Sequence, residues 1–248
     1  YLHWHCPQLQ LYVGGRAQQV HDIQHYRMRR TIFGGQDAER RLDRLGAELI
    51  IVPPDQTASA LLKAVYDAPD NPHWVPVFYD PQCIVLVDTE RPVGRKLLDK
   101  AVAGELVYPD ERTAAWSRVL AMRSQRSGAS PGDTMQAIQR AVRLAPLRPM
   151  YESVTALFKR QAITLGAMVQ FFQSELDRLD AVADTLRARG GQQAAYELRQ
   201  VLDARIYLAG MLSGIYRRAG EPEQALVAQR VGEQIRDELR AQAEAWHR

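Results

Sequence analysis

Four of the six histidines fall within the first 25 residues, His3 and His5 as H-x-H and His21 and His25 as H-x-x-x-H. Alternate residues share a face on a strand and residues four apart share one on a helix, so each pair can present two imidazoles to one Zn²⁺. The competing reading is histidines used for packing or at the surface, since nothing brings the two pairs together and no nearby carboxylate is evidently placed to orient the rings. Between the two pairs runs "LQLYVGGR", residues 9–16, where Leu9, Leu11 and Val13 alternate with polar residues before Gly14, Gly15 and Arg16 break the pattern. Two glycines allow a strand to reverse sharply into the following helix. Arg16 at that corner either braces a loop by donating to carbonyls or meets a carboxylate or phosphate. Neither G-x-G-x-x-G nor G-x-x-x-x-G-K-[ST] is present, so the glycines do not spell a nucleotide fingerprint.

Other chemistry is thinner. Trp4, Trp74 and Trp116 could offer faces to a sugar, or fill a core. Asp80 and Asp88 stand at the ends of an expected hairpin, where turn and cap duties account for them without glycosidase-like acid–base work. There is no G-x-S-x-G, and Cys6 beside Pro7 has no helix N-terminus behind it to lower its pKa. Cys6 and Cys83 admit either a disulfide across adjacent strands or two buried thiols. No cofactor is implied by any of these residues.

The elements that must position such groups divide the chain in two. Hydrophobic residues make up 46% and charged residues 25%, a balance that excludes extended disorder. The net charge of +3 is spread among interleaved acids and bases, and so argues against a nucleic-acid face. The 28 arginines against four lysines follow genome composition as readily as function. The longest apolar runs, "LIIV" at 49–52 and "CIVLV" at 83–87, are strand-sized and fall far short of a membrane span of ~20 residues.

Residues 1–90 read as a small α/β module with a mixed sheet: strands at 9–13, 48–52, 74–79 and 83–87, the last two joined by a tight "DPQ" turn. Helices are expected over "QQVHDIQHYRMRRTIFGG" with the glycines at its end, before Gly46, and over "TASALLKAVYDAP". Residues 91–110 are expected as a linker, and 111–248 as an all-α domain of helical hairpins, giving an α+β chain overall. There "LGAMVQFFQSELDRLDAVADTLRARGG" places apolar residues at 169, 172, 176, 179, 183 and 186, the seam of a helix packed lengthwise. Leu212, Ser213, Tyr216, Gly220 and Ala225 resemble the signature of a tetratricopeptide unit, and Ala141 with Pro146 a weaker second copy. The helix over 165–189 is too long for a period of about 34 residues, so the hairpins are expected to be degenerate.

The order of segments in the first module carries a wider resemblance. Tyr1-Leu2 with Trp4, "VGGR", "GAELIIVPP" and "HWVPVFYDPQCIVLV" follow one another as they do in the soluble region after the last membrane span of polytopic, glycosyltransferase-C-like bacterial membrane proteins. Gly14 stands where that family usually carries an aspartate. The resemblance spans roughly residues 1–90, and helical-hairpin tails also fit the family pattern. It implies an extracytoplasmic module tethered to the inner membrane through spans upstream of Tyr1, in a parent that uses a lipid-linked sugar donor. Catalytic acids in that family lie upstream, so this segment is expected to be accessory, contacting a protein partner or glycan. The alternatives are a soluble tetratricopeptide-like interaction adaptor and a metal-assisted enzyme using His3, His5, His21 and His25.

Overall fold

The computed structural model describes residues 27, 30–53, 59–65, 73–80 and 82–246. The chain divides after Val107 into two compact units. In the first, "AERRLDR" forms α1 (Ala38–Arg44), burying Ala38 and Leu42 four residues apart. Gly46, at φ +62°, ends it: its N–H donates to the Asp43 carbonyl and the Ala47 N–H to that of Leu42. Those two bonds form the Schellman arrangement that satisfies otherwise unpaired carbonyls. Strand β1 (Leu49–Val52) follows, then α2 (Ser59–Val65), β2 (Trp74–Tyr79) and β3 (Ile84–Asp88).

The strands form one sheet in the order β1-β3-β2. β3 lies in the centre, as its unbroken run "IVLVD" requires of a strand covered on both faces. It pairs antiparallel with both neighbours, Leu49 opposite Val87 and Trp74 opposite Asp88. β2 tolerates Pro76, which lacks an N–H, and bulges between Pro76 and Phe78. One face packs Ile50, Val52, Trp74, Ile84 and Leu86 against α1 and α2. On the other, α3 (Pro92–Ala103) packs on β2 and β3.

Three of the four expected strands therefore share a sheet; the fourth, 9–13, lies outside the described residues. Two expectations need correction. The sheet is antiparallel throughout its described strands, not mixed. The expected linker over 91–110 contains α3, which buries Leu98 and Ala101 and belongs to the first unit. Its opening "RPVGRK" reads as a breaker cluster, but Pro92 occupies the first helical turn, where a missing N–H costs nothing.

The second unit is wholly helical among its described residues: α4 (Glu111–Arg123), a 3₁₀ turn (Gln125–Ser127), α5 (Pro131–Leu144), α6 (Arg148–Lys159), α7 (Leu165–Arg189), α8 (Gly191–Ala219) and α9 (Pro222–Trp246). Side-chain oxygens of Asp110, Ser130 and Thr164 cap α4, α5 and α7 by accepting the N–H three residues on. Gly190 and Gly191, both at positive φ, turn α7 directly into α8, and α8 packs lengthwise on both α7 and α9. α8 begins at Gly191, so the helical run around "YLAGMLSGIYRRAG" is only its second half. The buried seam of α7 is Met168, Phe172, Glu175, Leu179, Ala183 and Leu186. Phe172, Leu179, Ala183 and Leu186 match the expected positions, whereas Met168 is buried in place of Val169 and Glu175 in place of Leu176.

Candidate functional site

Of the residues singled out by sequence, His3, His5, His21, His25, Gly14, Gly15, Arg16, Trp4 and Cys6 lie outside the described residues. Trp74 is fully buried in the sheet core, so neither of its ring faces is open to a sugar. Trp116 is buried likewise, its Nε1 donating to the Ala145 carbonyl at 3.3 Å. Cys83 is a free thiol, and burial, helped by Asp80, pushes its pKa up, which keeps it a poor nucleophile. Asp80 does the turn duty expected of it: Oδ1 accepts the N–H groups of Gln82 at 2.7 Å and Cys83 at 2.6 Å.

Among the described residues the chemistry converges instead on His73, a histidine outside both of the sequence pairs. Hairpin register sets Trp74 opposite Asp88, so His73, one residue before Trp74, meets the end of β3. Thr89 locks that meeting, donating both its N–H and its hydroxyl to the His73 carbonyl at 2.8 Å. His73 Nδ1 lies 2.9 Å from Asp88 Oδ1, and Nε2 lies 2.5 Å from Glu39 Oε1. The ring and Asp88 are buried, whereas Glu39 is about half exposed. Asp88 Oδ1 also accepts the Glu90 N–H at 2.9 Å, and Oδ2 lies 3.5 Å from Arg91 Nε.

Glu39 reaches the ring from α1, one turn from Asp43 on the same helix face. Asp43, His73 and Asp88 each bring one donor atom within 4.8 Å of the others, a set that could hold a metal ion. Burial acts to lower the His73 pKa, but the Asp88 hydrogen bond and the charges of Asp88, Glu39 and Glu90 outweigh it and hold the ring above its ordinary value. The two flanking carboxylates are acceptors only when ionised, and a neutral imidazole has a single N–H to offer them. The ring therefore sits in a place built for positive charge.

A second polar cluster lies inside the helical unit. Tyr151 of α6 donates to Glu175 Oε2 at 3.0 Å, and Arg178 reaches the same carboxylate at 2.6 Å and the Val142 carbonyl of α5 at 3.1 Å. Three helices thus meet around one buried carboxylate. Burial, reinforced by the Glu175 charge, pushes the Tyr151 phenol far up, so it remains a donor. Every group there has a partner inside the bundle, and the cluster is a fastening.

Asp88 is a hairpin-end residue in the sequence, and the hairpin register is the one signal that leads from it to His73; nothing in sequence brings Glu39 to them. Compared with protein-family models, with characterised proteins and with solved structures, the chain matches none.

Proposed function

We propose that the chain is an accessory, non-catalytic extracytoplasmic module of a membrane-embedded glycosyltransferase-like protein. In this reading the α+β unit belongs to the region that follows the last membrane span. The helical unit contacts a protein partner or a glycan. The observation that carries the reading is the order of the segments: "GAELIIVPP" and "HWVPVFYDPQCIVLV" run in the family's sequence and supply β1, β2 and β3 of a single sheet. The internal bonding of Asp80, Asp88 and Tyr151 supports an accessory role, because those groups are engaged in turn, hairpin and bundle. Among the described residues no helix is long and apolar enough to cross a membrane, so the tether would come from outside them. The gene's upstream sequence tests this directly. Several apolar spans of ~20 residues are expected to precede Tyr1, and a periplasmic reporter fused at residue 248 is expected to be active. A start codon immediately before Tyr1 overturns the reading.

The second reading, a tetratricopeptide-like adaptor, is favoured by the α8–α9 hairpin. Ser213 donates to the Ala225 carbonyl at 2.9 Å, Leu212 and Ala225 are buried, and Gly220 turns the chain at φ +78°. Helices of 25, 29 and 25 residues exceed what a period of about 34 accommodates as a helix pair, so the likeness is to one hairpin and not to an array. This reading predicts a protein partner captured by the helical unit and no upstream spans.

A further inference from the structure

Independently of that function, we propose that His73, Asp88 and Asp43 bind a first-row divalent cation, with Glu39 holding the imidazole from its other edge. His73 has a carboxylate at each ring nitrogen, 2.9 Å away at Nδ1 and 2.5 Å away at Nε2. One ring proton satisfies one of these edges. The other edge would then set a nitrogen lone pair against a carboxylate oxygen, two acceptors facing each other at hydrogen-bond distance. Either a second proton or a metal cation removes that conflict. The surroundings favour the metal because a third carboxylate, Asp43, converges on the same point, within 4.8 Å of the other two donors.

Ligand bonds to Zn²⁺ of about 2.0–2.2 Å put neighbouring tetrahedral donors about 3.4 Å apart. His73 Nδ1 and Asp88 Oδ1, at 2.9 Å, are already close to that spacing. Asp43 is exposed, so its side chain is free to rotate inward and also marks the side from which an ion enters. Nε2–H donating to Glu39 supplies the carboxylate–histidine support that metal-bound imidazoles generally have, fixing the tautomer. One imidazole with two carboxylates suits Zn²⁺ or Mn²⁺ better than copper or an iron–sulfur cluster. The fold places the set firmly. β2–β3 pairing and the two Thr89 bonds fix His73 to Asp88, and the i, i+4 spacing of Glu39 and Asp43 sends both carboxylates to the ring from one helix face.

The test uses the full chain after chelator treatment, titrated with ZnCl₂ by calorimetry. One equivalent is expected to bind, and Asp43→Asn is expected to weaken binding by about tenfold or more. The metal-free melting temperature of that variant should stay close to the parent, since Asp43 is exposed. Absence of binding, or affinity unchanged in Asp43→Asn, overturns the inference; the latter would place zinc elsewhere, for instance at His3, His5, His21 or His25. Should Asp43→Asn not fold, Co²⁺ loading of the unmodified chain decides. The Trp74 indole, 5.8 Å from the His73 ring, is expected to show a paramagnetic shift, and an unshifted Trp74 signal rejects the site.

Discussion

A hydrogen atom at position 94 sets how closely α3 approaches the sheet. A Cβ built on Gly94 would stand 1.9 Å from the Asp88 carbonyl oxygen and 2.7 Å from its carbon, both backbone atoms that cannot rotate away. Gly94→Ala must therefore push α3 off β3, and overpacking of this kind costs ~3 kcal/mol at the upper end of the usual range. Because Asp88 carries the His73 contact, the same variant should disturb the histidine cluster; an unchanged denaturation midpoint would contradict the packing described. The carboxylate of Glu175 makes the reverse case, in which loss and not gain of atoms is costly. Tyr151→Phe removes one hydrogen bond to a charged acceptor, and about 1.5–3 kcal/mol is expected in urea unfolding. Glu175→Leu should cost more, since it strands both the Tyr151 hydroxyl and the Arg178 guanidinium, though water reaches the 30%-exposed arginine and returns part of the loss. The opposite ranking would mean the carboxylate is not the hub of the three helices.

Element boundaries respond to capping groups that can be titrated. Asp110 accepts the Thr113 N–H at 2.8 Å, and that backbone bond, opposed by slight desolvation and aided by Arg112, holds its carboxyl below the ordinary value. A carboxyl whose folded pKa is depressed contributes its stability above the unfolded pKa and loses it as pH falls through the folded one. Thermal melts between about pH 6 and pH 2.5 should therefore lose this contribution at the acid end. Asp110→Asn keeps a capping oxygen and should flatten that part of the profile, whereas Asp110→Ala should cost about 1 kcal/mol at neutral pH. Caps and strands of this sort were legible in the sequence. "CIVLV" reads as a strand-sized apolar run and Gly46 as a helix stop. Two helices were not legible, for one reason. α3 opens with Pro92 and Gly94, and α6 lies behind Pro146 with Pro149 in its first turn, so breaker residues masked Leu98, Met150, Val154 and Leu157 at helical spacing. The candidate site was half legible at best. Trp74 and Asp88 are opposite positions of a hairpin that the "DPQ" turn predicts, with His73 one residue further out, but Glu39 and Asp43 arrive by tertiary packing of α1, which no local pattern encodes. The buried Glu175 is hidden for a related reason: a charged residue in a seam is readable only with its partners on other helices.

At the scale of the whole molecule, the question is whether the helical unit carries enough of its own core to stand alone. Tyr151, Phe172, Ile138, Met150, Leu179, Leu202 and Leu208 are all essentially inaccessible to solvent. Polar ties reinforce the packing. Arg187 of α7 forks onto Glu238 of α9 at 2.9 and 2.7 Å, and Thr155 of α6 shares a hydrogen bond with Tyr207 of α8 at 3.0 Å. A chain of ~140 residues is long enough for a core of this kind to offset its conformational entropy. Residues 108–248 expressed alone are therefore expected to give a strongly helical circular dichroism spectrum and one cooperative urea transition. Residues 108–221 should not behave so. They lack α9, whose Gly232 backbone lies against Ala209 and whose Ala225 carbonyl satisfies Ser213, so one face of α8 would be laid bare. If the longer fragment melted without cooperativity, the helical unit would depend on the α+β unit for its fold, and a partner-binding role could not be assigned to it separately. If both fragments melted alike, α9 would be an appendage, and the Arg187–Glu238 and Ser213–Ala225 ties would be incidental to the bundle.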